Sequence, residues 1–251
     1  MLSPLATGIY TGLGAVGLVG MAIGGFEYAA RWPTSQIFGR TLVAPPQPGE
    51  LALTFDDGPN PAWTPRLLDI LAADHVPATF FLVGRFADAE KALVRRVLAA
   101  GHLIGNHTWN HPDLSRTPSA RVKDELHRTS DVLEQITGEP IRYFRPPYGA
   151  RRPAVLRTAR EMGLVPVLWN AMTDDWKEPS ADRITQRLAR KIDSNVRHGS
   201  ATTIVLHDGH HRSLSANRGP SVSAAAQLIV GYRASHRFVT VDAWNDSAKQ
   251  L

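Results

Sequence analysis

From about residue 51 onward, short apolar runs alternate with longer amphipathic stretches, roughly seven times over, and this rhythm leaves few folds open. Residues 51–55, 78–83, 103–105, 143–144, 164–169, 202–206 and 237–240 read as strands. Residues 64–74, 91–100, 120–137, 153–162, 181–196 and 221–232 read as helices, several opened by Pro or closed by Gly. Strands and helices in strict alternation build a parallel sheet with helices outside it. The number of units suits one barrel better than two separate domains.

Five short polar clusters lie at or just past the C-terminal ends of five of these strands, and in a parallel barrel those ends form a single rim. Asp56 and Asp57 follow the first strand and precede Gly58-Pro59, which turns the chain at once. Neighbouring side chains alternate across a strand, so the two carboxylates are expected to take different roles. Read alone, the same pair also suits a helix cap or a turn. His107 and His111 are four apart, a spacing that puts two rings on one face of a helical turn. With an upstream Asp they make an Asp-His-His set with open positions, suited to Zn²⁺ and compatible with Co²⁺, Mn²⁺ or Ni²⁺. The chain has no cysteine, which excludes thiolate ligands and disulfides. Arg145 opens a stiff Arg-Pro-Pro-Tyr-Gly loop and is a fixed cation that would favour the ionised form of a carboxylate beside it. His207 closes a buried strand, where a histidine can donate a proton or simply fill the core.

These strings, together with Asp174-Asp175-Trp176, resemble the NodB-like polysaccharide deacetylases of carbohydrate esterase family 4, over roughly residues 48–243. The resemblance implies a distorted (β/α)7 barrel and metal-dependent removal of acetyl groups from N-acetylated sugars. It implies that Asp56 is the base and that Asp57, His107 and His111 hold the metal. Arg145 would tune the base, and the Tyr148 backbone N–H would help hold the developing oxyanion. His207 would be the acid. Leu206 would wall the acetyl methyl, with Trp176 and Tyr148 also against the substrate. One position departs. Four residues before Trp176, where an Asp would orient the acid, stands Met172. Either Asp174 substitutes, or His207 works with less support. Deacylation of an O-acetyl or lipid-linked formyl sugar is a second reading; a catalytically silent carbohydrate-binding relative is a third.

Residues 1–26 carry no charged side chain and are long enough to span a bilayer. Gly8/Gly12 and Gly20/Gly24 have the small-xxx-small spacing of packed membrane helices. No Lys or Arg precedes the run, so an uncleaved anchor over residues 1–30 is expected rather than a cleaved signal. A Pro-rich linker, residues 31–47, and a catalytic domain, residues 48–245, would follow. The catalytic domain is expected outside the cytoplasm, although Arg31 and Arg40 after the run favour the opposite orientation. A net charge of +5 without an aromatic-interleaved basic stripe argues against a nucleic-acid partner.

Overall fold

The computed structural model describes residues 24–244 of the 251. The expected transmembrane helix falls mostly on residues outside that range. Among the described residues no helix is long and apolar enough to cross a membrane.

Among the described residues, eight parallel strands form one sheet: β1 (Glu50–Gly58), β2 (Thr79–Leu82), β3 (Leu103–Asn106), β4 (Tyr143–Phe144), β5 (Val165–Pro166), β6 (Ala171–Met172), β7 (Thr202–His207) and β8 (Arg237–Phe238). Seven of them run in the order β5-β4-β3-β2-β1-β7-β6, and β8 pairs with the start of β1. The helices are α1 (Thr64–Ala73), α2 (Gly84–Ala89), α3 (Lys91–Ala99), α4 (Ser119–Thr137), α5 (Pro153–Glu161), α6 (Ala181–Arg197) and α7 (Gly219–Tyr232). The result is a parallel α/β half-barrel, in keeping with the distorted (β/α)7 barrel expected.

Period-two alternation sorts each strand into an outer and an inner face. On β1, Leu51, Leu53 and Phe55 join the core under the helices, with Leu67 and Leu71 of α1. Ala52 faces inward with Phe81, Val167 and Trp244. On β7, Ile204 and Leu206 point outward, and Val205 inward against Leu168 and Trp169. The helices carry matching stripes. On α6, Ile184, Leu188 and Ile192 are four apart and buried, and the Ser180 hydroxyl caps the first turn by accepting from the Arg183 N–H. Gly138 ends α4 at φ 75°, a left-handed conformation that costs glycine little.

Two expectations are corrected. The strand expected over 164–169 is only the two-residue β5, and a second short strand, β6, follows beyond it after residues 167–170. Pro166 has no N–H to donate to a ladder. The Asn170 side chain instead binds across to the next strand, accepting from the Thr203 N–H (2.9 Å) and donating to the Ala201 carbonyl (2.9 Å). The six-residue helix α2 was not anticipated.

The stretch expected as a linker, residues 31–47, is bound along the domain. Leu42 bridges to Val167 in parallel register. The Ala201 N–H donates to the Pro45 carbonyl at 2.9 Å. Residues 24–31 are helical. Where that helix ends, the guanidinium of Arg151 is fully buried and donates to the carbonyls of Ala30, Trp32, Ser35 and Gly149. Burial lowers its pKa to about 10.

Candidate active site

The inner faces of β1 and β7 bring Asp56 and His207 side by side, since these two residues pair in register at the C-terminal ends of adjacent strands. Asp57 would point the other way on a regular strand. The β1–β2 register shifts between Asp56 and Gly58, and Asp57 sits at φ 69°. This bulge re-aims its carboxylate into the same cleft as that of Asp56. The cleft has a volume of about 270 Å³ and is also lined by His107, His111, Tyr148, Trp169, Met172, Trp176 and His207.

His107 and His111 meet at Asp57, but not through a helical turn. They lie on an irregular loop in which Thr108 and His111 both have positive φ, 66° and 61°. His107 Nε2 is 3.6 Å and His111 Nε2 3.2 Å from Asp57 Oδ1. His107 Nδ1 lies 2.8 Å from the Arg145 carbonyl oxygen, which can only accept. The proton is therefore on Nδ1, and the Nε2 lone pair faces Asp57. Burial lowers the pKa of both histidines, that of His111 to about 3, so both rings are neutral. For Asp57, burial works upward, but the charge that His111 carries in acid, a hydrogen bond from His211 and the charges of His207 and His107 outweigh it and hold its pKa well below the usual carboxylate range. A buried carboxylate whose Oδ1 has no hydrogen-bond partner, facing two neutral nitrogens, is a donor set that fits a divalent cation.

Asp56 is held from the other side. Arg145, itself fully buried, donates from Nη1 to Asp56 Oδ1 at 2.8 Å and to Thr54 Oγ1 at 2.6 Å. Its guanidinium lies 4.1 Å over the Phe81 ring. Oδ2 of Asp56 is left facing the cleft, 3.9 Å from His107 Nε2.

His207 is oriented by Asp175, and this corrects the expectation about its support. Asp175 Oδ1 is 2.8 Å from His207 Nδ1, and Oδ2 accepts from the His207 backbone N–H at 2.9 Å and from Ser221 Oγ at 2.7 Å. Asp175 is buried, whereas Asp174 is exposed and Met172 lines the cleft. No substitute carboxylate is needed. Burial lowers the His207 pKa, but the charge and hydrogen bond of Asp175 outweigh it and raise the value to about 9. The ring is therefore a proton donor at neutral pH.

Residues 44–167 match the family model "Polysaccharide deacetylase". A chitooligosaccharide deacetylase from Bradyrhizobium sp. (strain ANU 289) is 42% identical over 184 residues, covering 70% of this chain and 81% of that protein. The chain belongs to the polysaccharide deacetylase family. It is therefore a hydrolase acting on amide bonds. The structure of the peptidoglycan deacetylase PdaC from Bacillus subtilis superposes with a TM-score of 0.69 at 31% identity, covering 82% of this chain and 94% of that one. A CE4-family pseudoenzyme from Bacillus anthracis superposes with a TM-score of 0.70 at 26% identity, covering 80% of this chain and 66% of that one.

Within this deacetylase site, the remaining expected residues divide. Trp176 packs edge-on against the His207 ring, with centroids 4.9 Å apart. Tyr148 sits at φ 58° in a tight turn, half exposed, with its ring edge against His111. Leu206 does not line the cleft. The alternation of β7 sends it into the core beneath the helices, and Val205 faces the cleft instead, beside Trp169 and Met172. Asp208 also points away; it is buried, accepts from the Thr64 hydroxyl, and is pushed up by burial to about 7. His210, His211 and Arg218, on the loop after His207, also line the cleft; the sequence offers this loop, residues 209–220, as a source of contacts but does not aim its side chains. Nothing in a loop histidine pair so distant in sequence from Asp57 signals that they meet it.

Proposed function

We propose that the chain is a divalent-metal-dependent N-deacetylase of acetylated glucosamine polymers or oligomers, peptidoglycan-like or chitin-like, with Zn²⁺ as the natural ion. The observation that carries this reading is the position of a held base and a charged acid in one cleft, with the Asp57-His107-His111 cluster beside them. When bound there, a divalent cation supplies polarisation of the acyl carbonyl and a more acidic water.

The chain's own residues supply the rest. Asp56 accepts the water proton at Oδ2 while Arg145 fixes Oδ1, so the base is presented in one orientation. The 3₁₀ turn Pro147–Gly149 is closed by the N–H groups of Gly149 and Ala150. We assign the Tyr148 N–H to the developing oxyanion. His207, protonated through Asp175, gives its Nε2 proton to the departing sugar nitrogen. That last role favours an amide over an ester, because an alkoxide leaves with less help than an amine anion. Val205, Met172, Trp169 and Trp176 give the cleft an apolar wall against an acetyl methyl. The uncharged N-terminal run leads directly into the docked residues 24–35, and we propose that it anchors the enzyme with its domain outside the cytoplasm.

Acetate release by the full chain tests the activity, using chitin oligomers, peptidoglycan fragments and acetylated xylan, before and after metal removal. The expected result is release from an N-acetylated glycan that stops on chelation and returns with Zn²⁺ or Co²⁺. Release from acetylated xylan alone, or none with any metal, would overturn the assignment. For the anchor, the protein should remain in the membrane pellet after an alkaline wash and be digested by protease added to intact spheroplasts. Recovery in the soluble fraction would remove the anchor, and protection would reverse its orientation.

A further inference from the structure

The loop between β7 and α7 folds back over the cleft and is pinned at several points. Gly209 lies so close to the Asp57 backbone that a Cβ there would be 2.0 Å from its carbonyl oxygen. Only glycine permits that approach. Arg218 Nε donates to the Gly209 carbonyl at 2.5 Å, Asn60 Nδ2 to the Ala216 carbonyl at 3.0 Å, and Arg85 to the His211 carbonyl.

Held this way, the His211 ring touches three members of the site. Its Nδ1 is 3.5 Å from Asp57 Oδ2. Its Nε2 is 3.4 Å from the Tyr148 hydroxyl, which can donate to it and so leave the ring proton on Nδ1, toward Asp57. Its face stacks on His111, with centroids 4.3 Å apart and planes 13° from parallel, and His210 stacks on its outer side. The Asp57 carboxylate is thereby divided. Oδ1 faces His107 and His111, and Oδ2 faces His211.

We propose that His211 is a positioning residue for the cation site: it holds Asp57 Oδ2 so that Oδ1 alone is presented to the ion, and its ring keeps His111 in plane. A ligating carboxylate with an untethered second oxygen can rotate or shift between one- and two-oxygen binding, and an outer hydrogen bond prevents this. His211 is not itself a ligand. Among the described residues, the donor atoms close enough to one another to share an ion belong to Asp57, His107 and His111. The proposal rests on reading that cluster as the cation site.

The test is the dissociation constant for Zn²⁺ and Co²⁺, measured on the full chain by competition with a chromophoric chelator. The wild type should bind one ion and His111→Ala should bind none tightly. His211→Ala should bind about 10–100-fold more weakly, the usual cost of losing an outer partner of a ligand. His211→Phe keeps the stacked ring without the N–H and should be as weak as the alanine variant if the hydrogen bond dominates. His211→Asn restores a donor near the Nδ1 position and should recover most of the loss, which a general unfolding of the loop would not allow. At saturation the Co²⁺ absorption spectrum of His211→Ala should match that of the wild type. Wild-type affinity in His211→Ala would overturn the proposal and leave the cation site intact. A changed coordination number in the Co²⁺ spectrum would make His211 a ligand and overturn it equally. A wild type that binds no ion would remove both the cation site and the proposal.

Discussion

Asp56→Asn is expected to lower kcat/KM on the order of 10²–10⁴-fold, the usual contribution of a positioned general base, while stoichiometric metal stays bound. The amide keeps the shape of the side chain but cannot take a proton at the atom that faces the cleft. The ligands Asp57, His107 and His111 are untouched, so elemental analysis separates loss of the base from loss of the ion. The same change removes the carboxylate that neutralises Arg145, a fully buried guanidinium whose Nε and Nη2 already have no partner. Breaking a buried ion pair from one side typically costs about 3–5 kcal/mol, so a lower urea midpoint should accompany the lost turnover. Wild-type turnover in Asp56→Asn would end its assignment as the base.

Asp175→Asn is expected to act through His207 and to be nearly as severe, on the order of 10²–10⁴-fold in kcat. In the native protein the charge and hydrogen bond of Asp175 overcome burial and raise His207 to about 9. The direction of the pH dependence follows. The donor is charged below about pH 9, and activity should fall as pH rises through that value. Any stability that the charged ring adds is complete below its ordinary pKa and is lost over the same rise. With asparagine the raising charge is gone and burial remains, so the alkaline limb of the pH–rate profile should move to lower pH. An alkaline limb that stayed in place would assign it to some other group. Asp174→Asn, at an exposed position, should leave the limb unmoved.

How much of this was legible in the chain depends on the kind of signal. The alternation of strands and helices needed only period and punctuation, and it located the rim and the residues on it. What failed was the translation from sequence offset to side-chain direction. Leu206 is adjacent to the acid, but on a strand adjacency means the opposite face, and Val205 is the residue that meets the cleft. The four-residue spacing of His107 and His111 suggested a helical turn, whereas two left-handed residues in a loop bring the rings together. Counting back from Trp176 led to Met172, although the carboxylate that orients His207 is the immediately preceding Asp175. Asp57 reaches the cleft only because a bulge breaks the alternation that would otherwise exclude it. Arg151 stands beside Arg152 with no local sign that it is buried. Its burial depends on carbonyls from residues 30–35, a partnership between distant parts of the chain that no local pattern encodes.

That partnership couples the entry of the chain to the rim of the cleft. Arg151 ties the backbone of Ala30, Trp32 and Ser35 to the carbonyl of Gly149, the residue after Tyr148. The segment entering the domain and the loop at the edge of the cleft thus share one guanidinium, so displacing either strains its hydrogen bonds to the other. Under the anchoring proposed above, a pull on residues 30–35 would therefore be felt at Gly149, beside Tyr148, and not at the start of the domain alone.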